Sequence, residues 1–498
     1  MLVDFNIKEQ LKELKQSGKK LPAEYFDLGV AFWLLNPDEE EYSADFLSKK
    51  YLHKECNSSA KGSTETHPKP LELKQLYEVA SKKLKEYKLE KLFYDVEMPL
   101  LSVLADMEST GIKVNVKNLK EIDKELEKKL TGLVKSIYKE AGETFNINSP
   151  KQLGKILFEK LKISLGGVKK TRGGSVSTNI ETLLTIQGRH AIVKYILEYR
   201  ELFKLQSTYV GPLQELADKD KRIHTTYIQT GTSTGRLSSQ NPNLQNIPSG
   251  GEWARKIRNA FIPEKSYLLA SFDYSQIELR VLASLSGDPK MIEAFNNDLD
   301  IHRLTAANVF NVPLEKVTPD MRQLAKTLNF GVVYGMGARA FSKASGLSIV
   351  EAQRFIEEYF NDFKKIKEWQ EEIKMQARTS GYVMNLNGRR RWLLQAASMF
   401  RSEAAEAERA AINMPVQGLA ADIIKIAMVK LSSEIKKLKW ENKVRMLLTI
   451  HDELLFEIDG HIIKEAGAFI RKIMESAYEL EVPIKVNVKI GKNWGELE

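Results

Sequence analysis

The stretch VRMLLTIHDELLFEI at residues 444–458 consists of two apolar runs separated by the polar pair His451 and Asp452. Two short apolar runs joined in this way are typical of an antiparallel hairpin, so we predict two strands with this pair at the turn. A second apolar run, YLLASFD at 267–273, also ends in an acid, Asp273. Between the two runs lie roughly 150 residues of mostly helical pattern. The sequence therefore predicts an α+β domain interrupted by a helical insertion.

Asp273 and Asp452 each follow sequence that is expected to be buried. A buried carboxylate without a partner is costly, and two carboxylates close together repel unless they share a proton or bind a cation. Hard divalent cations suit such a pair, and two such ions suit phosphoryl transfer. Isolated acids at strand ends are also commonly turn or cap residues. The pattern alone does not bring together two positions that are 179 residues apart.

Length and composition indicate the broad class of the protein. A chain of 498 residues exceeds what one hydrophobic core usually supports, so we expect about two to four domains or subdomains. No run of 18 apolar residues occurs and the first ten residues carry charges, so we expect neither a membrane span nor a secretion signal. Cys56 is the single cysteine, which excludes an intramolecular disulfide and a multi-cysteine zinc site and fits a reducing cytoplasm.

The chain is basic, with a formal net charge of +9. A basic surface suits a nucleic-acid binder, because Lys and Arg displace the counterions of a phosphate backbone. The same charge also suits a soluble enzyme of any kind that it keeps dispersed. The segment LGGVKKTRGGSVST at 165–178 is rich in glycine and cations, and it suits either a grip on phosphates or a solvated connection. Charge therefore leaves both interpretations open.

Helical patterns dominate the first half of the chain. Residues 1–55 are predicted to form a small helical piece, and the polar stretch CNSSAKGSTETHPKP at 56–70 predicts a linker or flexible loop. The segment 119–142 has apolar residues at steps of three and four, which form one helix face. These residues are Leu119, Ile122, Leu126, Leu130, Leu133 and Ile137.

Several longer strings resemble, in order, the signature motifs of family-A DNA polymerases. They are TGRLSSQNPNLQNIP (234–248), DYSQIELR (273–280), DIHR (300–303), RQLAKTLNFGVVYG (322–335), GRRR (388–391), NMPVQGLAADIIK (413–425) and HDELLFE (451–457). The resemblance extends from Leu92 to the C-terminus, about four-fifths of the chain. Long motifs in the right order are far more specific than one short pattern.

The resemblance implies an α+β right-hand polymerase fold with an antiparallel palm sheet, helical fingers and thumb, and a vestigial exonuclease-like N-terminal piece. It divides the chain into an exonuclease-like region at 1–90, a thumb at 91–212, a palm at 213–295 and 415–498, and fingers at 296–414. It joins Asp273 and Asp452 in one palm site with two Mg²⁺ ions, for which Mn²⁺ can substitute. It also makes the carbonyl of Tyr274 a metal ligand and Glu453 a supporting acid.

The motif at 322–335 also has a physical interpretation. Four of its residues recur every four positions and predict a stripe along one helix face: Arg322, Lys326, Phe330 and Tyr334. Leu324, Leu328 and Val332 mark another face that is available for packing. Two cations followed by two aromatic rings suit a triphosphate and then a sugar and base. A solvated basic face with two core aromatics is the alternative for a helix considered alone.

The resemblance makes this helix the mobile fingers helix, whose closure over the correct nucleotide contributes selectivity. It implies a catalytic role for Lys326 and further nucleotide contacts from His302 and Gln276. The glutamate at the position of Glu278 excludes ribonucleotides in this family. Phe330 has no hydroxyl, so we expect discrimination against dideoxynucleotides.

A further set of polar residues matches the family positions that line the primer–template. Minor-groove acceptors are alike for A·T and T·A pairs, so donors there check the shape of a pair without reading its sequence. The matching residues are Arg236, Asn243, Gln245, Arg409, Asn413, Gln417 and His451.

The chain departs from the family pattern in several places. Gln323 stands where a second arginine is frequent, and Leu419 where threonine is usual. The exonuclease fold needs an Asp-x-Glu pair near its start, and the chain begins after that point. Gln10 and Ser81 occupy the acidic positions of the second and third exonuclease-like motifs. We therefore expect no 3′→5′ proofreading, because two-metal hydrolysis lacks its carboxylates, and no 5′-nuclease domain.

The expected function is template-directed addition of deoxynucleotides to a primer 3′-hydroxyl, with release of pyrophosphate. The expected partners are primer–template DNA and deoxynucleoside triphosphates, with a monomeric chain, no membrane and a cytoplasmic location, nucleoid-associated or in a host if phage-encoded. A single-subunit RNA polymerase or reverse transcriptase on the same fold, and a catalytically inactive nucleic-acid-binding relative, are the alternatives. The choice of nucleotide and of template would distinguish an RNA polymerase or a reverse transcriptase from a DNA-templated DNA polymerase. Retention of Asp273 and Asp452 argues against an inactive relative.

Overall fold

A computed structural model describes residues 1–19, 22, 24–53, 69–164 and 176–497. The chain forms two compact units. The first contains residues 1–111, 225–245 and 265–490, and the second contains 112–224, 246–264 and the residues from 491 onward. The predicted linker at 56–70 and the predicted basic loop at 165–178 lie outside the described residues except at their last two and three positions.

The N-terminal part of the first unit is mixed rather than purely helical. Its elements are β1 (Leu2–Asp4), α1 (Ile7–Gln16), β2 (Tyr25–Asp27), α2 (Leu28–Leu35), α3 (Ala44–Leu52), α4 (Pro70–Glu86), α5 (Glu90–Leu92) and α6 (Met98–Thr110). β1 and β2 pair in parallel, so the prediction of a helical piece at 1–55 missed both strands. Each strand has only three residues, too few for an alternating pattern to be recognised.

The second unit is mainly helical. Its first elements are β3 (Ile112–Lys113), α7 (Val116–Ala141), α8 (Pro150–Gly154), α9 (Ile180–Thr185), α10 (Ala191–Lys204), α11 (Gly211–Glu215) and β4 (Arg222–Ile223). The predicted helix at 119–142 is confirmed as α7, and five of its six apolar positions are buried; Leu133 is only half-buried. β3 and β4 pair antiparallel and join the two ends of this stretch.

Residues 225–264 alternate between the units. In the first unit, β5 (Thr226–Ile228) and β6 (Ser238–Gln240) form an antiparallel pair. In the second unit, α12 (Glu252–Asn259) packs against α7. The loop between β5 and β6 carries Gly235 and Arg236, which belong to the first motif.

The middle of the chain is helical, as the predicted insertion requires. Its elements are β7 (Tyr267–Tyr274), α13 (Ile277–Ser286), α14 (Pro289–Asn296), α15 (Ile301–Phe310), α16 (Pro319–Val333), α17 (Ala338–Ser345), α18 (Ile349–Asp362), α19 (Lys364–Ser380), β8 (Tyr382–Met384) and β9 (Arg390–Trp392). The segment YSQIELRVLASL at 274–285 predicts an amphipathic helix, and this prediction is wrong, because every residue of α13 from Ile277 to Ala283 is buried. The charged residues Glu278 and Arg280 lie inside with the apolar ones.

The C-terminal part completes the main sheet. Its elements are α20 (Arg401–Lys437), β10 (Val444–Ile450), β11 (Glu453–Asp459), α21 (Ile463–Glu475) and β12 (Val486–Gly491). β10 and β11 pair antiparallel, which confirms the predicted hairpin. The sheet has the order β10–β11–β7–β12, so β7 lies next to β11 although the two strands are far apart in the chain.

Helix α20 is the one helix of the described residues that is long and apolar enough to cross a membrane by length and composition. The most apolar part of α20 is 78% buried within the protein. Burial of this kind is what a central core helix shows, and Ala411, Leu419 and Leu431 are among its fully buried residues.

Candidate active site

The two predicted acids meet where the two central strands of the main sheet, β7 and β11, end and begin. β7 and β11 pair antiparallel with Asp273 opposite Glu453, the residue that follows Asp452. The backbone N–H of Tyr274 also donates to the carbonyl of Asp452 over 3.1 Å. The register of two strands therefore places the backbones of Asp273 and Asp452 side by side.

A tight turn holds Asp452 in this position. His451 and Asp452 connect Ile450 to Glu453, which face each other across the hairpin. His451 adopts the left-handed backbone conformation, with φ of 53°, as two-residue hairpin connections require. Its side chain is exposed, whereas Asp452 and Glu453 are half-buried.

The carboxylates at this edge disturb one another. Loss of solvent, with the negative charges of Glu453 and Asp452, raises the pKa of Asp273 to about 7, against the opposing charge of Lys489. The Asp273 side chain still reaches solvent, so we attribute the shift to crowding of carboxylates at least as much as to burial. Burial also raises the pKa of Asp452, which the guanidinium of Arg236 opposes.

These groups suit a hard divalent cation. Carboxylate and carbonyl oxygens are the donors that Mg²⁺ prefers, and the site offers Asp273, Asp452 and the carbonyl of Tyr274. A cation there would relieve the repulsion that raises the pKa of Asp273. Within the described parts of the chain, no three His, Cys, Asp or Glu side chains form a metal-binding group; the predicted set has two side chains and one backbone oxygen and needs no third.

One carboxylate oxygen of Glu453 already accepts a hydrogen bond from within the sheet. The hydroxyl of Ser271, which is two residues before Asp273 on β7, donates to Oε1 of Glu453. Glu453 therefore adds negative charge beside Asp273 while one of its oxygens is occupied.

A second network surrounds Glu278. This glutamate is only 4% exposed; Nη2 of Arg236 donates to its Oε1 over 2.7 Å, and the hydroxyl of Tyr334 donates to its Oε2 over 3.0 Å. Gln417 also hydrogen-bonds to it. Nη2 of Arg236 lies 3.8 Å from Oδ1 of Asp452, so Arg236 connects the predicted nucleotide-selecting acid with the hairpin acid.

Helix α16 carries the predicted stripe. Leu328 and Val332 are buried in the core, and Leu324 packs against it, as predicted. On the other face Lys326 is exposed, and Nε of Arg322 lies 2.6 Å from Oδ2 of Asp300. The helix ends at Val333, so Tyr334 is its C-cap residue rather than part of the helix as we expected.

His302 lies behind this stripe. The ring is 2% exposed and its centroid is 5.7 Å from that of Phe330. Burial, together with the charges of Arg322 and Lys326 and against the opposing charge of Asp300, lowers its pKa to about 4. Nδ1 of His302 lies 3.0 Å from Nδ2 of Asn329. His302 is thus a neutral ring beside two cations.

The predicted DNA-contacting residues are distributed around these networks. Arg236, Gln245, His451 and Asp452 line one small pocket, in which Nε2 of Gln245 donates to the carbonyl of Thr449 over 3.1 Å. Asn243 is exposed and its Oδ1 accepts from the backbone N–H of Gln245.

The remaining predicted contacts lie on α20 and before α13. Arg409 is exposed and Gln417 half-buried on α20, while Oδ1 of Asn413 is buried with no hydrogen-bond partner among the described residues. Gln276 is half-buried and adopts the left-handed conformation that starts α13.

Three residues of the site escaped the sequence interpretation. Asp300 caps α15 and binds Arg322, Asn329 binds His302, and Lys489 on β12 faces Asp273 electrostatically. Asp300 and Asn329 could have been found, because an acid just before a helix is a capping signal and Asn329 is the polar member of a buried helix face.

The two exonuclease-like positions, Gln10 and Ser81, differ in their surroundings. Nε2 of Gln10 donates to Oδ2 of Asp4 over 2.9 Å and to the carbonyl of Phe5 over 3.2 Å. The hydroxyl of Ser81 is buried with no hydrogen-bond partner in the described part of the chain.

The chain belongs to DNA polymerase family A, whose family model matches residues 116–496. This match covers more than half of the chain, and the order of the motifs agrees with it.

Individual relatives match over more of the chain. It is 42% identical to DNA polymerase I of Bacillus subtilis (strain 168) over 98% of its length and 57% of that protein. It is 46% identical to the thermostable DNA polymerase I of Thermus filiformis over 82% of its length and 49% of that protein. The chain thus spans about half the length of these curated relatives.

A solved structure confirms the predicted α+β polymerase fold. The chain superimposes on the POL domain of Pol1 from M. smegmatis, in complex with DNA primer-template and dNTP, with a TM-score of 0.92 and 35% identity. The superposition covers 99% of this chain and 86% of that one.

Proposed function

We propose that this chain is a DNA-templated DNA polymerase that adds deoxynucleotides to a primer 3′-hydroxyl and releases pyrophosphate. The observation that supports this most is the pairing of β7 with β11, which brings Asp273 beside the Asp452–Glu453 pair. Family membership supports the same activity, as does the M. smegmatis relative, whose complex contains DNA primer-template and dNTP.

We further propose that Asp273, Asp452 and the carbonyl of Tyr274 hold two Mg²⁺ ions, which Mn²⁺ can replace. When bound there, such ions would supply the positive charge that lowers the pKa of an attacking hydroxyl and stabilises a departing pyrophosphate. The residues of the chain prepare this site, because the strand register fixes both aspartates and Arg236 limits the charge around Asp452.

The nucleotide is bound by the exposed side of α16 and its surroundings. Arg322 and Lys326 pair with the triphosphate, and neutral His302 donates a hydrogen bond to it. Lys326, exposed beside this site, serves as a catalytic cation. Phe330 and Tyr334 lie toward the sugar and base, with Gln276 at the start of α13 as a further contact.

Glu278 selects the sugar. Its buried carboxylate is fixed by Arg236 and Tyr334, so it cannot turn away from a ribose 2′-hydroxyl without breaking both contacts. A rigid acid excludes the extra hydroxyl more strongly than a mobile one.

The primer–template is held by polar side chains that test base-pair shape from the minor groove. These are Arg236, Asn243, Gln245, Arg409, Asn413, Gln417 and His451. Oδ1 of Asn413, which has no hydrogen-bond partner in the described part of the chain, supports this assignment, because a buried acceptor without a partner is costly unless a ligand satisfies it.

We also propose a division of the chain into an exonuclease-like region at 1–90, a thumb at 91–212, a palm at 213–295 and 415–498, and fingers at 296–414. We further propose that the protein lacks proofreading. It is monomeric and cytoplasmic, without membrane attachment. The compact second unit begins at Ile112 and includes residues 246–264, so its limits differ from those of the proposed thumb.

A primer-extension assay tests the proposed activity. The protein should extend a DNA primer on a DNA template with deoxynucleotides and Mg²⁺, and should do so poorly with ribonucleotides. Asp452→Ala should remove extension while retaining binding of the primer–template. Preference for an RNA template would favour reverse transcription, and binding without extension by the unaltered protein would favour an inactive relative.

A further inference from the structure

Asn329 makes a buried hydrogen-bond arrangement that joins α15 to α16. Its side chain is fully buried, as is that of Thr305 on α15. Nδ2 of Asn329 lies 3.0 Å from Nδ1 of His302 and 3.1 Å from Oγ1 of Thr305. The hydroxyl of Thr305 donates to the carbonyl of Ile301 over 2.8 Å.

Thr305 holds the amide of Asn329, because its Oγ1 lies 3.1 Å from both Nδ2 and Oδ1. Of these two amide atoms, Nδ2 is the one that faces His302. An amide nitrogen only donates a hydrogen bond. Nδ1 of His302 then accepts and carries no proton, which leaves the proton of the neutral ring on Nε2.

The surroundings of His302 favour this neutral form. Arg322 and Lys326 disfavour a third positive charge beside them, and the ring is buried. Asp300 opposes them, but its Oδ1 accepts from the backbone N–H groups of His302 and Arg303 while its Oδ2 faces Arg322. Nε2 of His302 has no hydrogen-bond partner among the described residues, so its proton is available to a ligand.

We propose that Asn329 is a positioning residue that holds His302 as the neutral Nε2–H tautomer, so that the ring donates one hydrogen bond to an oxygen of the incoming triphosphate. This inference rests on the proposed function and adds a residue that acts through another. Outer partners commonly orient a functional histidine in this way.

The tautomer can be measured without activity. The chain has seven histidines, so ¹⁵N-labelled histidine and a His302→Gln variant identify the two ring nitrogens of His302. We expect Nδ1 to show the shift of an unprotonated nitrogen from pH 6 to 8. In Asn329→Asp the carboxylate only accepts, so the proton should move to Nδ1. A protonated Nδ1 in the unaltered protein would overturn the proposal.

Kinetics then test whether the tautomer matters to the nucleotide. Asn329→Leu and His302→Gln should each raise KM for the deoxynucleotide about 10-fold, with a smaller change in kcat. Because Asn329 acts through His302, the double variant should be no worse than His302→Gln alone. Asn308→Leu is the matched control, because Asn308 lies on α15 but is exposed and bonds Asp362, and its KM should not change.

A structural role alone would give a different pattern. Losses that multiply in the double variant, or a lower Tm for Asn329→Leu with KM unchanged, would contradict the proposal. Should Asn329→Leu fail to fold, Asn329→Asp provides the test instead. The ratio of its KM for the deoxynucleotide to that of the unaltered protein should vary with pH. A ratio that stays constant with pH would overturn the proposal. Absence of primer extension by the unaltered protein would instead contradict the proposed function, while the ¹⁵N spectrum would still decide the tautomer.

Discussion

Asp273 shares a confined space with two other acids, Asp452 and Glu453. Loss of solvent and the neighbouring negative charges raise the pKa of Asp273 to about 7. Its proton is therefore bound more tightly in the folded chain than in the unfolded one, whose carboxyl has an ordinary pKa. The folded state then loses stability as the pH rises from about 4 to about 7.

This cost gives a first prediction. Without divalent ions at pH 8, Asp273→Asn should be more stable than the unaltered protein by about 1 kcal/mol, a value reduced for solvent screening. The difference should vanish near pH 4, where the carboxyl is protonated. Thermal denaturation at both pH values measures it. Mg²⁺ should raise the Tm of the unaltered protein and not that of the variant; a variant less stable at pH 8 would contradict the account.

Glu278 gives a second prediction. Glu278→Ala should raise the kcat/KM for ribonucleotides about 10-fold or more relative to deoxynucleotides, because the acid that excludes the 2′-hydroxyl is gone. Single-nucleotide insertion with matched pairs of substrates measures the ratio. Glu403→Ala, an exposed acid at the start of α20, is the control. An unchanged ratio would rule out Glu278 as the selecting residue.

At the scale of elements, a buried group of charges joins four parts of the first unit. Glu97, just before α6, lies 2.9 Å from Nζ of Lys425 on α20 and also contacts Arg389, next to β9. Arg389 binds Asp422 on α20 over 2.6 Å, and both cations lie 5.0 Å from the ring of Trp33 on α2. Two acids and two bases leave no net charge inside.

This group also supports the site. A Cβ atom on Gly235 would lie 2.7 Å from Nε of Arg389, and Gly235 has a positive φ of 90°. Only glycine therefore fits between Arg389 and the loop that carries Arg236. Arg389 of the motif GRRR therefore helps to position Arg236, a structural role that the sequence did not indicate.

Glu97→Gln should be strongly destabilising, since it leaves two buried cations with one acid. Breaking such a group costs about 3–5 kcal/mol. Burial would raise the pKa of Glu97, but Lys425 and Arg389 outweigh it and lower the pKa to about 2. Its stabilisation is therefore complete above about pH 4.5 and is lost as the pH falls toward 2.

Denaturation at several pH values measures this third prediction. The difference in the free energy of unfolding between Glu97→Gln and the unaltered protein should become smaller below pH 4.5. Glu406→Gln, an exposed position on the same α20 helix, should change stability by less than about 0.5 kcal/mol. If this difference in the free energy of unfolding did not depend on pH, Glu97 would stabilise the fold by its shape rather than by its charge.

Local patterns predicted the elements whose stabilisation is local or periodic. The hairpin of β10 and β11, the strand β7 and the helix α7 were all recognised, because each has a clear apolar pattern along its length. The strands β1 and β2 were missed because they have three residues each. The burial of α13 on all sides was missed because Glu278 and Arg280 look exposed until their partners are known.

At the scale of the whole molecule, residue patterns alone could not predict that β7 pairs with β11. Periodicity identifies strands but not their partners, and these two strands lie far apart in the chain. The resemblance to the family implied that Asp273 and Asp452 meet in one site, and the sheet order, in which β7 lies next to β11, agrees with this. The motifs contain Asp300 and Asn329 but did not indicate their roles, which depend on contacts between α15 and α16.

Proofreading is a property of the whole chain, and we predict that this chain lacks it. Gln10 and Ser81 stand where we expect the acids of the exonuclease-like motifs; the Gln10 amide is hydrogen-bonded to Asp4, and the Ser81 hydroxyl is buried. A mismatched primer end incubated with Mg²⁺ and no nucleotides should stay at full length. Shortening by pure protein, retained in Asp273→Asn, would place a nuclease elsewhere in the chain and contradict this prediction.

The central claim is that Asp273 and Asp452 act as one unit in nucleotidyl transfer, and single-turnover primer extension tests it most directly. Asp273→Ala and Asp452→Ala should each lower the rate by about 10³-fold or more, and the double variant should be little slower than either, because residues that act together are not additive. Rates that multiply in the double variant, or near-normal extension by either single variant, would contradict the claim.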